Sequence, residues 1–209
     1  MVRDGRRLCL IDVVASQNGQ DTARATATFA AASDANSRVW TCDESIDPPA
    51  SDGADQPDDV ERFYWTDGRG WLTPGTSVYT GERKAVWHFA IPVVANEDPS
   101  GFVTAAAVSD VINAIASVGP DGLAFINADA TVHLSRRPVR SAIGLVMTTR
   151  SEHAGLSAAS AVVFDRVGPF GQVCASGLAN PPIALLHHPL QDRLTNDCAR
   201  PLLTPRGWR

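Results

Sequence analysis

The stretch SGFVTAAAVSDVINAIAS, residues 100–117, limits the possible folds more than any other part of the chain. Phe102, Val103, Ala106, Val108, Val111, Ile112 and Ile115 make it apolar nearly all round, which predicts a long buried helix. Ser100 after Pro99 is the expected N-cap, and Gly119-Pro120 the expected stop. Such a helix needs apolar cover, and its flanks supply it. KAVWHFAIPVV before it (84–94) reads as a strand, ended or moved to a sheet edge by Pro92. Four strand-like runs follow at 122–134, 141–153, 155–166 and 170–179, parted by Arg137-Pro138, Gly155 and Gly168-Pro169. Strand, buried helix, four-strand meander predicts an α+β fold, with one helix packed on an antiparallel sheet.

The flanking regions differ from this block. Residues 6–32 predict a β-hairpin: RRLCLIDVVAS and ARATATF flank Asn18-Gly19, a strong two-residue turn signal. A lone two-stranded hairpin is not stable in water, so it is expected to add to the sheet of the 84–180 block. Residues 33–82 mix aspartates with Pro, Ser and Gly and predict a linker or surface loop. Phe63-Tyr64-Trp65 and Trp71 interrupt it as aromatics packed down on a core or lining a pocket mouth. Residues 181–209 predict an irregular tail. The expected organisation is 1–32 hairpin, 33–82 linker, 83–180 main domain and 181–209 tail.

Composition excludes several functions. With 18 Lys+Arg against 23 Asp+Glu, the net charge is -5, a poor match to sequence-independent nucleic-acid binding. No apolar run reaches the ~18–20 residues of a membrane span. MVRDGRRLCL has no apolar core, so no signal peptide is expected. Cys9, Cys42, Cys174 and Cys198 stand far apart and form no CxxC pair. They predict reduced thiols in a cytoplasmic protein, with no metal site. The chain contains no GxGxxG after a strand, GxxxxGK[ST], HExxH or GxSxG, and no cofactor is expected.

Two places could carry chemistry. Asp110 falls in the middle of the expected helix, where a buried carboxylate is costly unless partnered. It is either a residue on the helix's one polar edge, shared with Asn113, or a catalytic carboxylate in a pocket. In FINADATVHLSRRP, strict alternation puts Ile126, Ala128, Ala130, Val132 and Leu134 on one face, toward the helix. Phe125, Asn127, Asp129, Thr131 and His133 take the other. That second face is hydrogen-bond-rich. It is a solvated or interface side, and Asn127 on it could approach Asp110.

Three segments together resemble a known family. They are PGTSVYTGERKAVWHFAIPVVANEDPSGFVTAAAVSDVINAIASVG, FINADATVHLSRRPVRSAIGL and GLSAASAVVFDRVGPFGQ. In order and spacing they are similar to the acyl-CoA thioesterase-like superfamily, and more closely to the C-terminal hotdog of the double-hotdog, type II acyl-CoA thioesterases. The similarity spans about residues 65–180, and the hairpin resembles the last two strands of the family's N-terminal hotdog. The resemblance implies a truncated double hotdog in which a long helix is wrapped by an antiparallel sheet. It implies Asp110 and Asn127 as the first two members of a catalytic Asp, Thr/Ser/Asn and Gln set. The third falls on or near Ala175, with Gln172 out of register by three. The family's strand-end glutamate is displaced to Glu97.

The implied reaction is hydrolysis of acyl-CoA thioesters to free acid and CoA, in lipid metabolism. Asp110 would orient or deprotonate a water, with Asn127 as its hydrogen-bond partner. The helix start at Ser100, Gly101 and Phe102 would meet the thioester carbonyl. Arg136, Arg137 and Arg140 are candidates for the CoA phosphates, or simply an exposed basic turn. The incomplete first hotdog implies a homo-oligomer or a second hotdog chain. The alternatives are a non-catalytic hotdog subunit or acyl-CoA binder, and another enzyme on an α+β scaffold. A dehydratase would need a His with its Asp, and residues 100–117 contain none.

Overall fold

Gly19 and Asn18 both take positive φ, 78° and 53°, the geometry that a tight hairpin of right-twisted strands requires. A computed structural model describes residues 2–33, 46–50, 61–90, 92–139 and 142–180. The chain divides into two units, Met1–Cys42 and Asp43–Arg209. In the first, β1 (Arg3–Asp4), β2 (Leu8–Gln17) and β3 (Gln20–Ala30) form a three-stranded antiparallel sheet. Cross-strand pairs Cys9–Phe29, Ile11–Ala27, Val13–Ala25 and Ala15–Ala23 share one apolar face. On the other, the Thr26 hydroxyl donates to Asp12 across the strands at 2.7 Å. The hairpin was expected to join the main sheet. Among the described residues it instead takes β1 as its third strand, in a sheet of its own.

The second unit begins where a linker was expected. β4 (Arg62–Thr66) and β5 (Gly70–Trp71) are strands of a seven-stranded sheet, so part of the 33–82 segment is framework. The aromatics that interrupt that segment explain the correction: they supply β-propensity where Asp and Pro had suggested loop. β6 (Lys84–His88) follows, shorter than the expected 84–94; Val93 and Val94 are exposed beyond it. Then come α1 (Gly101–Ser109), α2 (Ile112–Ser117), and the small pair β7 (Val118–Gly119) and β8 (Gly122–Leu123). β9 (Phe125–Leu134), β10 (Ile143–His153), β11 (Leu156–Asp165) and β12 (Gly168–Ala179) complete the chain of elements. The sheet order is β5-β4-β6-β10-β11-β12-β9, antiparallel throughout. Only the last three of the four expected strands run as a meander, β10-β11-β12; β9 pairs with β12 rather than with β10, because the connection after β9 carries the chain across to the other side of that meander, next to β6. Residues 34–45, 51–60 and 181–209, with Arg140, lie outside the described residues.

The expected single helix is two. The Ser109 hydroxyl donates back to Ala105 O at 2.6 Å, a bond that bends helices. Past it the amides of Val111, Asn113 and Ala114 reach three residues back, to Val108, Asp110 and Val111. That tighter winding is 3₁₀-like and leaves Asp110 as the C-cap of α1. The helices are not buried all round either: Val103 is on the surface.

Strand alternation gives the sheet two cores. On the helix side, Ala105, Val108, Ile112 and Ile115 pack on Val86, Leu145, Val163 and Val173. On the other side, Phe63, Trp87, Val146 and Phe164 form a second cluster, with Trp65, Trp71 and Ile46 packed against it. A Cβ on Gly144 would stand 2.2 Å from the Phe164 ring. That glycine is what lets the ring lie flat across β10, beside Trp87 at 5.7 Å.

Candidate active site

β9 carries one residue more than its partner. Gly177 stands opposite Asn127 and Ser176 opposite Asp129, so Ala128 is a bulge with no residue across from it. A bulge reverses which face successive side chains take. Beyond it Val132 and Leu134 pack on the helix-side core, as strict alternation predicts. Before it the faces are exchanged: Phe125 is buried and Ile126 exposed. Asn127 therefore points to the helices, contrary to the expectation from alternation. Its Nδ2 donates to Asp110 Oδ1 at 3.1 Å.

The helix break and the strand bulge thus bring the two sequence-predicted residues together. Asn127 is half-buried and Asp110 exposed, so the carboxylate does not lie in the expected cleft. Among the described residues, the carboxylate's second oxygen and the Asn127 amide oxygen take no other side-chain hydrogen bond. A concavity of about 450 Å³ lies elsewhere, between the end of α2, Glu82–Lys84 and Met147–Arg150. Its cations are committed. Lys84 Nζ donates to Thr80 O (2.6 Å) and Glu82 O (3.0 Å), and burial lowers its pKa. Arg150 Nε donates to Ala116 O at 2.6 Å and its guanidinium lies 5.2 Å from the Phe125 ring centre.

Ser100 is the N-cap of α1: its Oγ accepts from the Val103 amide at 3.3 Å. From Ser100 to Asp110 is ten residues of helix, about 15 Å at 1.5 Å each. Ser100, Gly101 and Phe102 are therefore too far away to hold the same carbonyl that Asp110 would serve. A Cβ on Gly101 would stand 2.9 Å from Pro138, so this helix start adjoins the turn that follows β9. Of the arginines there, Arg136 is not available for phosphate. It grips Asp165 with two bonds, at 2.7 and 2.8 Å, and donates also to Arg137 O and Gly168 O. Arg137 is exposed.

Gln172 lies opposite exposed His133, on the sheet face away from the helices, whereas Ala175 lies on the helix side opposite Ala130. Glu97 is exposed in the loop before α1. Sequence reasoning missed two arrangements. One is the Arg136–Asp165 pair, 29 residues apart. The other is Asp129, whose Oδ1 accepts from Ser176 N (2.8 Å) and Ser176 Oγ (2.6 Å). The small residues Ala128 and Gly177 were the available sign of a bulge. Among the described residues no group of three or more His, Cys, Asp or Glu converges as a metal site would. No described helix is long and apolar enough to cross a membrane.

An antiparallel sheet bearing one broken helix, with a carboxylate–amide pair at the break, defines a hotdog-like α+β protein. Residues 41–178 match the acyl-CoA thioesterase C-terminal domain family, and the chain belongs to that family. No curated protein shows a significant sequence match. Among solved structures, the tesB protein of Mycobacterium avium subsp. paratuberculosis is similar with TM-score 0.59 and 19% identity, covering 86% of this chain and 69% of that one. The acyl-CoA thioesterase II TesB2 of Mycobacterium marinum gives TM-score 0.59 and 20% identity, covering 88% and 72%. A hot dog fold protein of unknown function from Alicyclobacillus acidocaldarius gives 0.57 and 16%, covering 87% and 71%. At these identities the likeness is one of fold.

Proposed function

We propose that the chain hydrolyses acyl-CoA thioesters to free acid and CoA in the cytoplasm, with Asp110 and Asn127 as its catalytic residues. The observation that carries this is the 3.1 Å bond between them, made by two elements that a helix break and a bulge turn toward each other. Asp110 takes a proton from the attacking water, and Asn127 fixes the carboxylate and offers its amide oxygen to the same water. The start of α1 and Arg137 have a different role from the expected one. Lying about one pantetheine arm from Asp110, they suit the phosphates of CoA rather than the thioester carbonyl.

Asp110 is exposed, and hydrolytic chemistry gains from excluding solvent. β9 is also a ten-residue edge strand of the sheet, and an edge of that length calls for pairing or cover. We therefore propose a truncated double hotdog whose site is closed by a second hotdog, from another copy or another chain. The position of Gln172 favours a second reading, a non-catalytic acyl-CoA binder. Its side of the sheet cannot serve Asp110, and loss of one polar contact to the reacting groups costs on the order of 10²-fold.

The two readings part in an assay of CoA release over acyl chains of graded length. A hydrolase releases CoA from at least one substrate, and Asp110→Ala abolishes release while leaving the circular dichroism unchanged. A binder retains acyl-CoA in equilibrium dialysis and releases nothing in either form.

A further inference from the structure

Asn127 faces Asp110 only because Ala128 bulges, and the residues around Ala128 fix it there. Just past the bulge the Asp129 carboxylate accepts both the amide and the hydroxyl of Ser176, which pins the register Asp129↔Ser176. Asp129 is held below the usual carboxylate range, first by the Ser176 hydroxyl and then by the Ser176 amide. Just before the bulge, Gly177 stands opposite Asn127 with no room for a side chain. A Cβ there would lie 2.5 Å from Ser157 Oγ and 3.3 Å from Ile126 O and Phe125 Cβ. Without the bulge, alternation returns Asn127 to the face of Asp129 and His133, away from Asp110.

We propose that Asp129 and Ser176 are positioning residues for the Asp110–Asn127 pair. By clamping the strands one step past Ala128 they hold the bulge and keep Asn127 turned to the helices. The consequence for activity rests on the hydrolytic reading; the consequence for geometry does not. Asp129→Ala removes the acceptor. Asp129→Asn keeps an oxygen that accepts from the same two donors. Ser176→Ala removes the hydroxyl alone and serves if Asp129→Ala does not fold.

The side-chain amide of Asn127, followed by NMR on isotope-labelled protein, reports the pairing. In the parent it should shift when Asp110→Asn replaces the carboxylate that it donates to. Asp129→Asn should keep this response, Ser176→Ala weaken it, and folded Asp129→Ala lose it. In CoA release, Asp129→Ala should lower kcat by about 10²-fold, the cost of a misplaced catalytic group. KM should change little, and Asp129→Asn should recover most of the rate. Folded Asp129→Ala or Ser176→Ala with an unchanged Asn127 response and unchanged kcat overturns the proposal. If no variant, parent included, releases CoA, the hydrolytic reading fails by itself, and the amide response still decides the positioning role.

Discussion

Removing the carboxylate of Asp165 should cost more stability than any single change at the proposed site. Asp165 is 3% exposed. It accepts from Arg136 Nη1 and Nη2 at 2.7 and 2.8 Å, and from the amides of Val139 and Val167 at 2.9 Å each. The Arg136 guanidinium also lies 4.7 Å from the Phe170 ring centre. Asp165→Ala leaves two amides and a planar cation without their acceptor. Breaking a buried pair from one side costs about 3–5 kcal/mol. The Arg136 side chain is 31% exposed, so water compensates it in part, and the lower figure, about 3 kcal/mol, applies. With a urea slope of about 2 kcal/mol/M, the midpoint falls by about 1.5 M. Fluorescence of Trp87, buried in the second unit, follows this transition. Burial alone would push the Asp165 carboxyl up, but the Arg136 bonds and the two amides outweigh it and hold it below its ordinary value. The pair's stabilisation is thus full above about pH 4, the unfolded carboxyl value, and is lost as pH falls through the lower folded value. The gap between parent and variant should close in acid. A cost below about 1 kcal/mol, the level of a surface ion pair, or a gap indifferent to acid, would refute the reasoning.

Three further outcomes follow from the same contacts. Gly144→Ala drives a methyl group into the Phe164 ring, which is 1% exposed; it should cost about 1–3 kcal/mol in thermal unfolding. Burial lowers the pKa of His88, whose Nδ1–H donates to Phe89 O at 2.6 Å. The folded state therefore resists protonation, and stability should fall as pH drops below about 6.5, the unfolded value. His88→Gln should lack that loss in pH-dependent urea titrations. Arg137→Glu should raise KM for acyl-CoA at low salt with little change in kcat, since a phosphate contact far from the thioester binds ground and transition states alike.

Much of the fold was legible because local signals and tertiary packing agree. Asn18-Gly19 specifies its turn, and the run 143–147 is buried on both faces of the sheet, where a continuous apolar pattern belongs. Ser100 caps α1 because its side chain has one local task, with no distant partner needed. The misreadings have a different cause. Arg62–Thr66 lies in a polar, proline-rich stretch that masks the β-propensity of its aromatics, and its main partner, β6, is 18 or more residues on. Arg136 looks like a phosphate ligand until Asp165 arrives from another strand. Alternation placed Asn127 on the wrong face, because a one-residue bulge depends on the neighbouring strand. Pattern singled out Asp110 and Asn127, and family likeness supplied the catalytic roles proposed for them.

The central claim is that Asp110 and Asn127 act as one unit in thioester hydrolysis. A double-mutant cycle of Asp110→Asn, Asn127→Ala and the combined variant tests it most directly, read as kcat/KM for the preferred acyl-CoA. If the two hold a single water between them, each substitution alone should cost about 10²-fold, and the pair together little more than the larger single loss. Multiplicative losses, or a single variant as active as the parent, would contradict the account.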